Sequence, residues 1–314
     1  MVTLSEPAVA DSKPKPITTA KVETKRAKAE SKPQEPKADL KALTNDPLVG
    51  KADRIDGTET KGMVAFTFDD GPNPSTTPAV IDALEKYNIP ATFFIVSQRL
   101  LGKHGEQSRG LIARQIAAGF LVQSHSFSHP NLKGATTKTL SKEIDDAIRI
   151  LAKEAGKPVG IFRAPFGAID NTGRGWLKKR GLTEARWSVD TLDWQARDSE
   201  KLRKKVLSMI VKQDGGVVLM HDVKPITAKI IATVFDDLEA ENCKRLADKK
   251  DPILPVSIHY FLRDKQQPRA IPEDVKKQTE AYRIALPGRC SKRPPEPPKD
   301  AKPAAKLDSK PAKP

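Results

Sequence analysis

The chain has 314 residues, enough for one large domain or two small ones, and a formal net charge of +15 at neutral pH, with an excess of basic side chains that extends into residues 61–290. A basic surface favours polyanionic partners such as nucleic acid or an acidic cell-wall polymer. Aromatic residues make up only 5% of the chain and are not interleaved with a basic stretch, which argues against nucleic-acid binding through stacked bases.

Two segments lack the periodic apolar pattern of folded elements. Residues 1–60 are rich in Lys, Pro, Ala and Glu, and residues 291–314 read SKRPPEPPKDAKPAAKLDSKPAKP. Such segments cannot bury enough apolar surface to offset the entropy of ordering them. We therefore predict disordered Lys/Pro-rich tails at 1–60 and 291–314 around a single folded domain at 61–290.

Apolar runs of strand length recur within the predicted domain, and several are continuously apolar, which is typical of strands covered on both faces. In chain order they are MVAFTF (63–68), ATFFIV (91–96), GFLVQS (119–124), GIFRA (160–164), ARWSV (185–189), GGVVLM (215–220) and LPVSIHYFL (254–262).

Helical patterns lie between these runs. Thr77 can cap a helix that has Pro78 at its first position. Apolar residues at helical spacing form three sets: Val80, Ile81, Leu84 and Tyr87; Leu140, Ile144, Ala147, Ile148 and Leu151; and Ile230, Ile231, Val234 and Leu238. The alternation of strand, loop and helix predicts a parallel α/β fold, either open or closed into a barrel.

Reactive side chains follow five of the predicted strands at their C-terminal ends, where parallel folds build their active sites. They are Asp69 and Asp70 after the first strand, His125 after the third, Arg163 at the end of the fourth, Asp190 and Asp193 after the fifth, and His221 after the sixth. This repeated placement predicts that they meet in one site.

The pair Asp69 and Asp70 places like charges side by side, which repel unless a cation or a proton lies between them. His125 and His129 are four residues apart and can face one metal ion if the segment coils. Two imidazoles and one carboxylate leave open positions for water, as a catalytic Zn²⁺ site requires, and they also suit non-haem Fe(II). Either aspartate can supply the carboxylate, which leaves the other as a base.

The two cysteines, Cys243 and Cys290, have no CxxC spacing, so a zinc ribbon is excluded. They are either two unrelated buried thiols or one disulfide that fastens the end of the domain back onto it, which would imply an oxidising compartment. No apolar stretch is long enough to span a membrane, and no signal-peptide core is visible. The small-residue run in EPAVADSKPK resembles the remnant of a trimmed precursor. We therefore expect an exported protein that is periplasmic, cell-wall-associated or secreted.

Five short motifs together resemble the signature motifs of the polysaccharide deacetylases, the NodB-homology enzymes of carbohydrate esterase family 4. In order they are TFDDGP (67–72), HSFSH (125–129), RAPFG (163–167), DTLDW (190–194) and LMH (219–221). The resemblance covers roughly residues 62–262. It implies a distorted (β/α)7-type barrel of parallel strands that removes acetyl groups from polymers of N-acetylglucosamine or acetylated xylose.

The resemblance also implies a role for each matching residue. Asp69 would be the general base, held by Arg163; Asp70, His125 and His129 would bind the metal, usually zinc; Phe166 would offer its backbone N–H to the oxyanion; Asp193 would tune the general acid His221; and Trp194 and Leu219 would wall the acetyl pocket. One departure is Phe166, where the family motif has Tyr. The backbone donor survives this change, but any contact of the Tyr hydroxyl is lost.

The sequence therefore predicts a zinc-dependent N-deacetylase, although another divalent transition metal is compatible. The expected substrate is an N-acetylglucosamine polymer, with peptidoglycan as the first choice. The expected partners are that polysaccharide and an anionic cell-wall surface, with no nucleic acid and no membrane span. Three alternatives remain: a deacetylase of chitin oligomers, exopolysaccharide or xylan; a catalytically inactive wall-binding protein; and a hydrolase of small amides.

Overall fold

The structure is a computed structural model that describes residues 39–293. The larger part of the predicted N-terminal tail and nearly all of the predicted C-terminal tail lie outside these residues.

Within the described residues, one eight-stranded parallel sheet forms the centre of the molecule. Its strands are β1 (Met63–Asp69), β2 (Ala91–Ile95), β3 (Leu121–Ser124), β4 (Ile161–Phe162), β5 (Thr183–Glu184), β6 (Val189–Asp190), β7 (Gly215–His221) and β8 (Leu254–Pro255). The order is β5-β4-β3-β2-β1-β7-β6, and β8 pairs with the start of β1. The sheet curls as a half-barrel, which confirms the predicted parallel α/β fold of distorted-barrel type. A separate antiparallel hairpin consists of β9 (Arg263–Asp264) and β10 (Gln267–Pro268).

Helices surround the sheet. In residues 39–293 they are α1 (Leu40–Thr44), α2 (Thr77–Tyr87), α3 (Gly105–Ala117), α4 (Thr137–Leu140), α5 (Ala147–Ala155), α6 (Asn171–Lys179), α7 (Ser199–Gln213), α8 (Pro225–Ala247) and α9 (Glu273–Ser291). A π-helical turn, Ser141–Asp146, joins α4 to α5. The three predicted apolar helix faces are buried or packed against the core. No helix in this part of the chain is both long enough and apolar enough to cross a membrane.

Side chains of β1 alternate between the two faces of the sheet, as the two-residue period of a strand requires. Phe66 and Phe68 pack in the large core between the sheet and the helices, whereas Ala65 lies in the smaller core on the other face. Thr67 and Asp69 have the same parity as Ala65 and are also buried. The alternation therefore carries Asp69 to the inner face of the half-barrel, at the C-terminal end of its central strand.

The predicted strand at 254–262 is wrong beyond its first two residues. The strand β8 ends at Pro255, and Ile258–Phe261 form a 3-10 turn. Within this turn the Tyr260 N–H donates to the Ser257 carbonyl at 3.1 Å. The apolar side chains of this segment are buried. The apolar run therefore reflects burial in the core and not an extended backbone.

The predicted start of the folded domain at residue 61 is too late. Val49 and Ile55 are fully buried in the inner core, and Ile55 forms a parallel bridge with Ala185, next to β5. These apolar residues follow neither a helical nor a strand period, because each fills a separate gap in the barrel. The folded chain therefore includes residues 39–60, and the predicted disordered tail is wrong for this segment.

Cys243 on α8 and Cys290 on α9 form a disulfide, with an S–S distance of 1.98 Å and a Cα–Cα distance of 5.4 Å. The bond fastens the last helix onto α8. Arg293 extends the same contact, because its guanidinium pairs with Asp236 at 3.0 Å.

Candidate active site

Three side chains at the C-terminal edge of the sheet form a group that can hold a metal ion: Asp70, His125 and His129. Asp70 Oδ1 lies 3.5 Å from His125 Nε2 and 3.1 Å from His129 Nε2. Ligand atoms bound at tetrahedral angles about 2.0–2.1 Å from zinc lie about 3.3 Å from one another. Within residues 39–293, this buried oxygen accepts no hydrogen bond of good geometry. Three ligand atoms that converge without satisfying one another therefore fit a cation.

The protonation of the group suits a cation as well. His125 Nδ1 lies 2.8 Å from the Arg163 carbonyl oxygen and donates to it, which leaves the Nε2 lone pair directed at Asp70. Burial lowers the pKa of His125, although Asp69 and Asp70 oppose this effect. Burial raises the pKa of Asp70, but the imidazoles of His129 and His125 outweigh it and hold this pKa well below its usual range. The group thus offers a neutral imidazole at His125 and an ionised carboxylate at Asp70.

The backbone around the group is held in an uncommon conformation. Asp70, Ser126 and His129 have φ values of 75°, 72° and 65°, in the left-handed region that non-glycine residues rarely adopt. Phe166, whose ring edge contacts the His129 ring at 4.6 Å between centroids, has a φ of 58°. Such conformations cost free energy and persist where surrounding contacts impose them, which is common at functional sites.

Glu143, in the π-helical turn, holds the loop that carries both histidines. Its carboxylate accepts hydrogen bonds from the Phe127 N–H at 3.1 Å, the Ser128 N–H at 2.8 Å and the Ser128 hydroxyl at 2.7 Å. The His129 N–H also donates to the Ser126 hydroxyl at 2.9 Å. These bonds coil the segment, so that two histidines four residues apart face one carboxylate.

Asp69 lies beside this group and is held by Arg163. Arg163 Nη1 donates to Asp69 Oδ1 at 2.8 Å and to the Thr67 hydroxyl at 2.7 Å. The guanidinium is fully buried and lies 4.0 Å from the centre of the Phe94 ring. Asp69 Oδ2 lies 3.6 Å from His125 Nε2. One carboxylate oxygen is thus fixed by a cation, and the other lies at the edge of the metal group.

His221 and Asp193 form a second pair on the other side of Asp69. Asp193 Oδ1 accepts from His221 Nδ1 at 2.7 Å, and Oδ2 accepts from the His221 N–H at 2.8 Å and the Thr227 hydroxyl at 2.5 Å. Burial by itself lowers the pKa of His221, but the hydrogen bond and charge of Asp193, with the charges of Asp69 and Asp70, raise it to about 9. His221 is thus an imidazolium at neutral pH, with Nε2 as the ring nitrogen not used by Asp193.

The remaining predicted pocket residues border these groups. Leu219 on β7 is buried, whereas Trp194 is 53% exposed and Phe166 is 67% exposed. In the described part of the chain, the Phe166 N–H donates no hydrogen bond to a backbone carbonyl. It remains available to a ligand.

Asp222 packs beneath the DDGP turn. It is fully buried, and Oδ2 accepts from the Thr77 hydroxyl at 2.5 Å. A Cβ atom placed on Gly71 would lie 2.2 Å from Oδ2, so glycine is required there. Burial is the main cause that raises the pKa of Asp222 to about 7. Its contacts are to the turn that carries Asp70.

The structure brings the ten sequence-predicted site residues to one edge of the half-barrel. Sequence reasoning missed four residues that hold them: Thr67, Glu143, Arg186 and Thr227. Arg186 accepts from Arg163 Nη2 through its carbonyl oxygen at 3.1 Å and donates through Nη1 to the Gly167 carbonyl at 2.7 Å. Of these four, only Thr67 could have been predicted from the sequence. It lies two residues before Asp69 on the same predicted strand, so both side chains point to the same face of the sheet.

The fold and the site together define a class: a parallel α/β half-barrel with an aspartate–histidine–histidine metal group beside an arginine-held carboxylate and an aspartate–histidine pair. Comparison with known proteins agrees with this class. A sequence model described as polysaccharide deacetylase matches residues 56–185.

Relatives extend the match. The chain is 33% identical over 207 residues to the peptidoglycan-N-acetylglucosamine deacetylase PgdA of Listeria monocytogenes, across 65% of this chain and 42% of that protein. It is 33% identical over 179 residues to a chitooligosaccharide deacetylase of Azorhizobium caulinodans, across 57% of this chain and 81% of that protein. The solved structure of the peptidoglycan deacetylase PdaC of Bacillus subtilis is 28% identical, with a TM-score of 0.51, and the match covers 72% of this chain and 97% of that one.

The chain belongs to the polysaccharide deacetylase family. It spans about half the length of the first curated relatives it matches, 42% of the Listeria protein and 47% of full-length PdaC. The matched family segment ends before Asp193 and His221, so it is the folded structure that places this pair beside the metal group.

Proposed function

We propose that this protein is a metal-dependent hydrolase that removes N-acetyl groups from N-acetylglucosamine units of a polysaccharide, with zinc as the metal and peptidoglycan as the substrate. One observation carries the proposal: a metal-binding group, a buried carboxylate and a protonated imidazole lie together at the edge of one sheet. Amide hydrolysis requires each of these in turn, namely an electrophile, a base and an acid.

The proposed ligands are Asp70, His125 and His129, and zinc suits two imidazoles and a carboxylate with an open position. When bound, the metal supplies Lewis acidity towards a water molecule and the amide carbonyl. Asp69 accepts the proton of the attacking water at Oδ2. Arg163 holds and orients that carboxylate, because it binds Oδ1 from a fully buried position.

His221 donates a proton from Nε2 to the leaving amine. Asp193 fixes its tautomer through Nδ1 and stabilises the imidazolium. The Phe166 N–H donates to the developing oxyanion, a role that preorganised backbone donors fill in acyl transfer. Trp194 and Leu219 border the space for the acetyl methyl group.

Peptidoglycan is favoured as the substrate because relatives from Listeria and Bacillus are named for it, and because the chain is basic. The disulfide between Cys243 and Cys290 suits an exported protein. Chitin oligomers are the second candidate, since the relative of which this chain covers 81% is named a chitooligosaccharide deacetylase. The complete set of acid, base and metal ligands disfavours an inactive wall-binding protein.

Mass spectrometry tests the proposal. The zinc-supplemented protein is incubated with muropeptides and, separately, with N-acetylglucosamine oligomers. The expected result is loss of an acetyl mass from the glucosamine of the muropeptides. Loss from the oligomers alone would favour the second candidate. The Asp69→Asn variant is the control, and a mass loss from neither substrate would refute the deacetylase function.

A further inference from the structure

Two open cavities lie side by side along the loop after β6 and the start of α8. The first, about 410 Å³ in volume, is bordered by Asp193 and Trp194 of the site and by Arg197, Lys224 and Lys229. The second, also about 410 Å³, shares Arg197 with the first. The two cavities adjoin at Ala196 and Arg197, and the half-exposed Trp194 lines the first of them.

The first cavity is lined by cations without a carboxylate partner. We call Arg197, Lys224 and Lys229 the cationic rim. Asp193 is the one carboxylate among the residues that line this cavity, and both of its oxygens are already engaged by His221 and Thr227. In residues 39–293, none of the three rim cations forms an ion pair.

The second cavity provides an internal contrast. Its lysines are already engaged: Lys201 pairs with Asp198 at 3.7 Å, and the Lys205 ammonium donates to the Thr191 carbonyl at 3.0 Å. Positive charge that is not balanced by the protein itself is therefore concentrated next to Trp194. Cations around a concave site raise the local concentration of anionic ligands and favour their binding.

We propose that the cationic rim binds carboxylates of the glycan next to the reacting sugar, so that the site prefers a carboxylate-bearing strand to a neutral one. The inference rests on the proposed function and specifies its substrate class. Trp194 offers an apolar ring face to a sugar, and the rim begins one short turn beyond it. The carboxylates can come from peptides attached to the strand or from the sugars themselves.

Three forms of one glycan strand test the proposal: a peptide-bearing form, a form stripped of peptide that keeps the carboxylates of its sugars, and a form whose carboxylates are amidated. The measured quantity is the ratio of kcat/KM for each carboxylate-bearing form to kcat/KM for the amidated form. Arg197 and Lys229 are both exposed. In the Arg197→Gln/Lys229→Gln variant we expect this ratio to fall about five- to tenfold, as the loss of two solvent-exposed charge pairs implies. Added salt should lower the ratio in the unmodified protein and have less effect in the variant.

A Lys178→Gln/Lys179→Gln variant is the matched control. It loses the same charge, but both lysines lie in the last turn of α6, which runs towards the N-terminal ends of the strands and thus away from the site. We expect its ratio to stay within about twofold. A fall with the peptide-bearing form alone assigns the rim to peptide carboxylates, and a fall with the stripped form alone assigns it to those of the sugars. A fall with both forms shows that the rim accepts either kind of carboxylate.

An unchanged ratio in the rim variant, or an equal fall in the control, overturns the proposal while the proposed function stands, provided that acetate is released. If no strand is deacetylated, the proposed function fails. In that case calorimetry with both variants gives dissociation constants for the three strands. The ratio of affinity for each carboxylate-bearing form to affinity for the amidated form then tests whether the rim binds carboxylates.

Discussion

Replacing Asp193 by Asn is predicted to move the alkaline limb of the pH–activity profile downwards by about two pH units. In the unmodified protein, burial lowers the pKa of His221, but the hydrogen bond and charge of Asp193, supported by Asp69 and Asp70, raise it to about 9 from an ordinary value of 6.5. Asn keeps the size of the side chain and removes its charge. Burial, which lowers the pKa of His221, is then no longer outweighed by the charge of residue 193. The pKa of His221 therefore falls towards or below its ordinary value.

The sign follows from the role of the residue. A general acid must be protonated, so activity is present below its pKa and lost as the pH rises through it. The variant therefore loses activity at lower pH than the unmodified protein. A bound dication repels the imidazolium and lowers the pKa of His221 in both proteins. The prediction accordingly concerns the difference between the two limbs.

The assay is acetate release from N-acetylglucosamine oligomers, with kcat/KM measured from about pH 6 to about pH 10. Asp190→Asn is the matched control, because Asp190 ends β6 three residues before Asp193, and its carboxylate accepts from the Leu192 N–H at 3.1 Å without contacting His221. Coincident limbs for Asp193→Asn and the unmodified protein would refute the reasoning, as would an equal shift in Asp190→Asn.

Four further predictions address the metal group, the oxyanion donor and the fold. Asp69→Asn should keep its metal and lose about 10²–10⁴-fold in turnover, because it removes a base. Asp70→Asn should lose metal and turnover together, because it weakens a ligand. Metal analysis and single-turnover kinetics test both variants, and the reverse pattern would mean that the two aspartates have exchanged roles. Phe166→Tyr should stay within about tenfold of the unmodified turnover, since a main-chain donor should be worth far more than the ring substituent; a larger loss on a soluble oligomer would show that the Phe ring is required. Cys243→Ser opens a disulfide across 47 residues and should lower the free energy of unfolding by about 4 kcal/mol in the chain-entropy model, and an unchanged denaturation midpoint under oxidising conditions would contradict this. Ile55→Ala should cost about 2–5 kcal/mol in the same measurement, because it opens a cavity in the inner core; a cost below this range would mean that residues before 61 do not stabilise the domain.

The sequence by itself determined the central strands and the position of the site along the chain. MVAFTF and GGVVLM are almost continuously apolar because β1 and β7 are covered on both faces. Burial of these strands can therefore be predicted from consecutive residues alone. Since the strands are parallel, residues just after them gather at one edge. Asp70, His125 and His221 could therefore be assigned to one site before any distance was known.

Elements whose stability comes from distant contacts were missed. The strand β5 has two residues, and α9 buries few apolar side chains, chiefly Tyr282 and Leu286. Neither element produces a clear apolar periodicity in the sequence. The strand β5 is too short, and α9 is held by the disulfide and by ion pairs to α8 instead of by a continuous apolar face. Residues 39–60 were assigned to a tail for the same reason, since Val49 fills a gap formed by strands far along the chain.

Only the tertiary structure decided how the site residues are held and which charges remain unbalanced. Glu143 binds the histidine loop, and Thr227 binds Asp193, from helices whose local patterns contain no trace of these contacts. Lys201 and Lys229 look alike in the sequence, yet one pairs with Asp198 and the other lines a cavity with no free carboxylate. The burial of a strand can be predicted from the apolar residues of the strand itself. A hydrogen bond or an unpaired charge depends instead on which distant residues the fold places within a few ångströms.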